Sequence, residues 1–234
     1  MNKKILSATA VKYIAVLAMT IDYVAFMFVP PESLLYFMMR LIGRLTAPIM
    51  SFFIVEGFIH TRNYKKYFFR MFAFAIISQP FYFIMIFRRT PQNTSEFLMH
   101  LNVMFNFCVS LIMLKIVSGK LRTEKKIFLS GICFMLADLC DWSFIIPVWV
   151  LIFFFFRNST KIRTLLFISM SVILMILKNL EIYNIGVIMA IVPIALYNGK
   201  RSEKNRKINR WFFYIYYPLH IAVIEIFFFS IVIF

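Results

Sequence analysis

Asp22, Arg40 and Arg44 are the residues of this 234-residue chain whose types and spacing most strongly suggest chemistry. Arg40 and Arg44 are four apart, which puts them on one face of a helix, and Pro48 and Ser51 continue that stripe. All three charges stand inside apolar runs. A charge at mid-bilayer costs roughly 2.5–3.5 kcal/mol on insertion scales, so such a side chain faces a partner or a wet cavity. An Asp–Arg pair in the interior of a bundle is the economical arrangement. It leaves one guanidinium over, and two uses fit: an ion pair that fixes two helices, or a site for an anionic or polar group. Lys12, Glu56, Arg70 and Glu225 also fall within or at the edges of apolar runs.

Lys12 and Tyr23 are eleven apart, so about 1,100° of helical rotation returns them to nearly the same face, about 16 Å apart along the axis. A cation at one end and a phenol deeper in would line one path. Three histidines are present. His60 belongs to Glu56-Gly57-Phe58-Ile59-His60-Thr61-Arg62-Asn63, followed by Lys65, a cluster able to bind phosphates or cap a helix. His100 is followed by Asn102. His220 closes Tyr216-Tyr217-Pro218-Leu219-His220, where Pro218 lacks an N–H and should bend a helix. A lone histidine in an apolar run is more often a satisfied packing residue than a catalyst. Cys108, Cys133 and Cys140 have no metal-ligand spacing and read as small buried hydrophobes, so no metal is expected.

The elements that must carry these groups are set by composition. The chain is 62% hydrophobic and 19% aromatic, with 30 Phe and only 6 Gly, more apolar surface than one water-soluble core of this length can hide. Soluble enzymes, DNA-binding domains and fibrous repeats are excluded. The net charge of +16 therefore speaks of membrane topology and anionic lipid, not nucleic acid.

About nine apolar segments follow, near 8–29, 36–59, 67–87, 97–116, 127–139, 142–156, 163–177, 182–197 and 211–233. Those around 127–139 and 142–156 are short enough to form one broken hairpin. Backbone amides in lipid must pair within the segment, and a closed barrel would alternate apolar with polar, which this sequence does not. The expected fold is an all-α polytopic transmembrane helix bundle in the cell (cytoplasmic) membrane, one domain over 1–234. Basic residues crowd alternate connections: Lys3 and Lys4; Arg62, Lys65 and Lys66; Lys115 to Lys126; Arg157 to Arg163; and Lys200 to Arg210. The opposite loops hold Arg88, Arg89 and Lys178 beside Glu32, Glu96, Asp138, Asp141 and Glu181. The positive-inside bias then places the amino terminus in the cytoplasm and the carboxyl terminus outside, which supports an odd number of spans, nine on this count. The first apolar run is interrupted by Lys12 and Asp22 and reads as a retained helix, not a cleaved leader.

Lys12–Asp22 (KYIAVLAMTID), Arg40–Asn63 (RLIGRLTAPIMSFFIVEGFIHTRN), Asn102-Val103, Tyr197-Asn198-Gly199 and Tyr217-Pro218-Leu219-His220 resemble the TraX family of integral-membrane acetyltransferases, in family order along almost the whole chain. The Arg40–Asn63 block is the specific one. The resemblance implies an enzyme that moves an acetyl group from acetyl-CoA, its co-substrate, to an amine or hydroxyl on a peptide or glycan; the family's founding activity is N-acetylation of pilin subunits. In the wider group of membrane acyltransferases, a basic residue and a histidine eleven positions on share the first helix. Lys12 matches the first, and Tyr23 stands where the histidine would be.

On this reading acetyl-CoA enters from the basic cytoplasmic face, held by Lys12, His60, Arg62, Asn63 and Lys65. Asp22, Tyr23, Arg40, Arg44, His100 and His220 are the catalytic candidates. Asp22 or a histidine would take the acceptor's proton and an arginine would stabilise the oxyanion. Two non-enzymatic alternatives stay open: a transporter or ligand-binding relative of the acyltransferases, and an assembly scaffold. The residues leave the acceptor and the oligomeric state open.

Overall fold

The computed structural model describes residues 5–89, 100–200 and 206–233. Lys3, Lys4, Glu96, Arg201 and Lys204 lie outside them, as do the side chains of Arg89, Arg206, Lys207 and Arg210. The described elements are helical: α1 (Ala8–Phe28), α2 (Leu34–Gly43), α3 (Thr46–His60), α4 (Tyr64–Arg89), α5 (Val103–Ser118), α6 (Thr123–Asp138), α7 (Ile145–Phe155), α8 (Thr160–Leu177), a 3-10 segment (Ile182–Ala190), α9 (Ile191–Leu196) and α10 (Arg206–Ile233). Extended pairing among the described residues is limited to two isolated bridges, Leu6–Tyr197 and Leu101–Cys140. The all-α, multi-pass expectation holds.

Among the described residues, five stretches are long and apolar enough to cross a membrane: Ala8–Phe28, Leu34–His60, Tyr64–Arg88, Thr160–Leu177 and Trp211–Ser230. Val103–Ser118, Ile145–Phe155 and Ile182–Leu196 are apolar but shorter. At 1.5 Å per residue, the 16 residues of α5 reach about 24 Å, short of the roughly 30 Å hydrocarbon core.

Two compact units are present, Met1–Met50 with Ser159–Phe234, and Ser51–Asn158. In the first, Ser7 caps α1 by accepting from the Ala10 amide at 3.2 Å, and Pro30 and Pro31 end it. Ser33 caps α2 through the Tyr36 amide at 3.1 Å. The short link makes α1 and α2 an antiparallel pair. Their approach is so close that a Cβ on Gly43 would collide with the Asp22 side chain. Residues 196–200 bind the start of α1: the Leu6 amide donates to Leu196 O, Asn198 N to Leu6 O, and Ala8 N to Lys200 O, at 2.9–3.0 Å. Gly199 makes this turn at φ +74°, a region that favours glycine. The Tyr197-Asn198-Gly199 motif is thereby given a structural task.

The 36–59 run is not one helix. It tightens at Arg44 and Leu45, where Leu45 N donates to Ile42 O, before α3 begins at Thr46. Pro48 explains the place: its ring crowds the carbonyl four residues earlier, that of Arg44, and it offers no N–H. The Arg40–Ser51 stripe is therefore interrupted. Pro193 acts likewise on the expected 182–197 helix, where nine residues are 3-10 and only six are α. α1 and α10 lie side by side and run in the same direction, since Tyr13 meets Phe212, Thr20 meets Tyr216 and Phe28 meets Phe228.

In the second unit α4, α6 and α7 each pack on α5. The 127–139 and 142–156 segments are thus separate helices, each packed on α5. Irregular backbone around 100–102 and 139–143 is satisfied from within. Buried Asn102 caps α5 through the Met104 amide at 3.0 Å and donates to Ala75 O and Gln79 Oε1, both at 2.8 Å. Asn106 donates to the Asp141 and Ser143 carbonyls at 2.8 and 2.7 Å. Cys108, Cys133 and Cys140 are buried free thiols. Burial, aided by Asp141, pushes the Cys140 thiol in the turn after α6 up to about 12.

Candidate functional site

The charged cluster forms within the first unit. Asp22 on α1 receives Arg40 of α2 at 3.0 Å and Arg44, at the end of α2, at 3.9 Å. The expected pairing across two helices is present. The 3-10 segment covers it, with Gly186 so close to Leu41 and Arg44 that no Cβ could be added. Arg40 lies 5.2 Å from the Tyr183 ring centre, 5.4 Å from Phe26 and 5.7 Å from Tyr36, and Arg44 lies 5.1 Å from Tyr183. All fall within cation–π range. The surplus cation is thus offset by ring faces. Sequence reasoning missed this cage, because Tyr183 carries no local signal and its 3-10 backbone gives the segment no helical periodicity.

A second arrangement runs along the seam between α1 and α10. The Lys12 ammonium sits over Phe213, 5.4 Å from its centre, and Tyr13 donates to Asn209 Oδ1 at 3.2 Å. Further along, Thr20 spends its proton on Val16 O at 3.0 Å and so accepts from the Tyr216 hydroxyl at 2.7 Å. The Tyr23 and Tyr217 hydroxyls are 3.5 Å apart. Tyr23 also presents itself edge-on to His220, centroids 4.9 Å apart and planes at 86°. The periodicity that put Lys12 and Tyr23 on one face is realised, and α10 covers that face. Thr20, Phe213, Tyr216 and Tyr217 were not singled out from sequence. The Tyr216-Tyr217-Pro218-Leu219-His220 run carried the signal, but nothing in it names a partner helix.

His220 is 5% exposed. Its Nδ1 is 2.9 Å from the Tyr216 carbonyl oxygen, which can only accept, so Nδ1 carries the proton and donates. Tyr216 stacks on the imidazole at 5.3 Å and 8°. Nε2 is buried and, among the described residues, meets no hydrogen-bond partner.

The remaining candidates belong to the second unit. His60 ends α3 and is 3.8 Å from Glu56 one turn earlier. Arg62 and Asn63 lie exposed in the turn into α4 and Lys65 in the first turn of that helix, where Asn63 accepts from the Lys66 amide at 2.9 Å as a helix cap. His100 gives its carbonyl to Gln79 at 3.0 Å, and its ring lies 6.4 Å from Tyr82. The structure thus brings together Asp22 with Arg40 and Arg44, and Tyr23 with His220, with Lys12 on the same seam. Among the described residues no group of three His, Cys, Asp or Glu side chains could hold a metal ion.

A family model described as TraX protein matches residues 7–227. A curated protein of Dichelobacter nodosus, described as probable fimbrial assembly protein FimC, serogroup H1, is 32% identical over 231 residues, covering 93% of this chain and 94% of its own length. No solved structure matches.

Proposed function

The chain belongs to the TraX family, whose model spans residues 7–227, and on that premise we propose that it is a membrane-embedded acetyltransferase. It takes the acetyl group from cytosolic acetyl-CoA and passes it to an amine or hydroxyl of a peptide or glycan. The relative named for fimbrial assembly supports an acceptor among the subunits of surface fibres. The observation that carries the reading is the α1–α10 seam, with a cation at one end and the Tyr23–His220 pair about three turns on.

Lys12, and Lys200 beside the first turn of α1, form the donor end, where coenzyme phosphates are met by cations and backbone N–H groups. The exposed His60–Lys65 turn is a phosphate-binding candidate of its own unit. Asp22, Arg40 and Arg44 serve as architecture: the ion pair and its ring cage fix α2 and the 3-10 segment against α1, which holds Tyr23 toward α10. Parallel packing of α1 with α10 supports opposite faces for the two ends and an odd number of crossings, nine on the count above, in the cytoplasmic membrane with the amino terminus inside.

Labelled acetyl-CoA given to the purified full-length protein tests this reading. Binding and turnover are expected, and Lys12→Ala should weaken donor binding about tenfold with little change in melting temperature. Neither binding nor turnover in the wild type overturns it. Solute flux that proceeds without any acyl donor would establish the transporter instead.

A further inference from the structure

The acetyl-transfer reading requires a group that removes a proton from the acceptor, and the fold leaves few choices for it. Asp22 is already the ion-pair partner of Arg40 at 3.0 Å, with Arg44 3.9 Å away. Tyr23 carries a phenol, whose unperturbed pKa of about 10 makes it a weak base at neutral pH. We infer that the Nε2 atom of His220 is the proton acceptor of the reaction, with Thr20 and Tyr216 as the residues that position it. The inference rests on the acetyl-transfer reading of the same seam.

Three observations carry it. First, the tautomer is set. A carbonyl oxygen cannot donate, so the 2.9 Å contact from Nδ1 to Tyr216 O assigns the proton to Nδ1 and leaves the lone pair on Nε2. Second, Nε2 is buried and, among the described residues, meets no hydrogen-bond partner, so its desolvation is left uncompensated. A fold that only packed this ring could have used an apolar one. Third, the ring is held in orientation. Tyr216 stacks on it, Tyr23 meets it edge-on, Tyr217 lies 5.6 Å away, and the Tyr216 hydroxyl is anchored on Thr20 of the neighbouring helix at 2.7 Å. An imidazole locked through Nδ1 with a free Nε2 is the arrangement a general base requires.

The acceptor's nitrogen or oxygen forms a bond to the acetyl carbonyl carbon while its N–H or O–H proton passes to Nε2. The carbon–sulfur bond of the thioester then breaks. The departing coenzyme A sulfur takes the proton from the imidazolium, giving the free thiol and neutral His220. No oxidant, reductant or metal is needed.

Because the Tyr23 and His220 rings lie 4.9 Å apart, a histidine placed at 23 would bring an imidazole into the same locus from the other helix. That permits a relocation test. Purified full-length wild type, His220→Gln and the Tyr23→His/His220→Gln double variant are given labelled acetyl-CoA with two probes, a peptide bearing a free α-amine and a glucosamine oligosaccharide. Labelled product and released thiol are followed against pH. His220→Gln is expected to lose about 10²–10⁴-fold in kcat, with donor KM within about twofold of wild type, and to lose the rising limb of the pH profile. The double variant is expected to recover at least about tenfold of that loss, with the limb restored. If His220→Gln does not fold, Thr20→Val carries the test. It removes the hydroxyl that anchors Tyr216 and should lower kcat about three- to tenfold and displace the limb without changing donor KM. A His220→Gln enzyme as active as wild type, or a Thr20→Val profile identical to wild type, overturns the role of His220 and leaves the acetyl-transfer reading standing. A wild type that neither binds acetyl-CoA nor releases thiol overturns both.

Discussion

Arg40 is held by one carboxylate and three aromatic rings, so its partners fail differently when it is changed. Arg40→Ala leaves Asp22 with the 3.9 Å Arg44 contact and empties the cage between Phe26, Tyr36 and Tyr183. Breaking a buried pair by removing one member costs about 3–5 kcal/mol. The expected outcome is a large drop in detergent melting temperature and in yield, with Arg40→Lys intermediate because an ammonium lacks the planar fork that lies on the rings. If Arg40→Ala abolished turnover while melting like wild type, the arginine would be a transfer group and not a strut. Gly43→Ala should be nearly as damaging for a steric reason, since its Cβ would meet Asp22. The Cys140 thiol makes a separate case. A pKa raised to about 12 means that the reactive thiolate is negligible at neutral pH and appears only as pH climbs toward that value. N-ethylmaleimide should leave Cys140 unmodified in the folded protein at neutral pH and label it after unfolding, as mass spectrometry would read.

Helices one and ten are the elements on which the functional account depends, and their direction is open to test. In a background lacking Cys108, Cys133 and Cys140, cysteines at Phe28 and Phe228 should be joined by a short bismaleimide, because those rings lie 5.8 Å apart. Cysteines at Tyr13 and Phe228 should not. The reverse pattern would make the two helices antiparallel. What the sequence conveyed about these elements follows from the range of its signals. The four-residue spacing of Arg40 and Arg44, and the eleven-residue spacing of Lys12 and Tyr23, are properties of one helix and were readable. So was the demand of a charge in an apolar run for an opposite charge, which predicted the Asp22 pair. The break at Arg44 also follows from Pro48, once the clash is counted back four residues instead of placed at the proline. Tyr183 and His220 were not readable as partners, because their positions come from packing between segments far apart in the chain. A stretch of 3-10 backbone such as Ile182–Ala190 hides which of its side chains share a face.

For the chain as a whole, composition was decisive where local pattern was not. The apolar content and the alternation of basic connections led to a multi-pass helical protein, and five of the described stretches are long enough to span. The short ones, α5 and α7, carry backbone turns satisfied by Asn102, Gln79 and Asn106, a device that no periodicity announces. Parallel packing of α1 and α10 predicts that the two ends of the described chain face opposite sides. A membrane-impermeant thiol reagent should therefore reach a cysteine placed at Lys200 from the cytoplasmic side only. Access from the outer side alone would invert the topology. Use of acetyl-CoA from the Lys12 end of the seam can be read in sealed proteoliposomes of uniform orientation. Labelled acetyl-CoA is supplied first to one face and then to the other, with thiol release as the readout. Release is predicted only when the coenzyme is on the face that carries the amino terminus of α1; equal release from both faces, or none from either, would contradict the account.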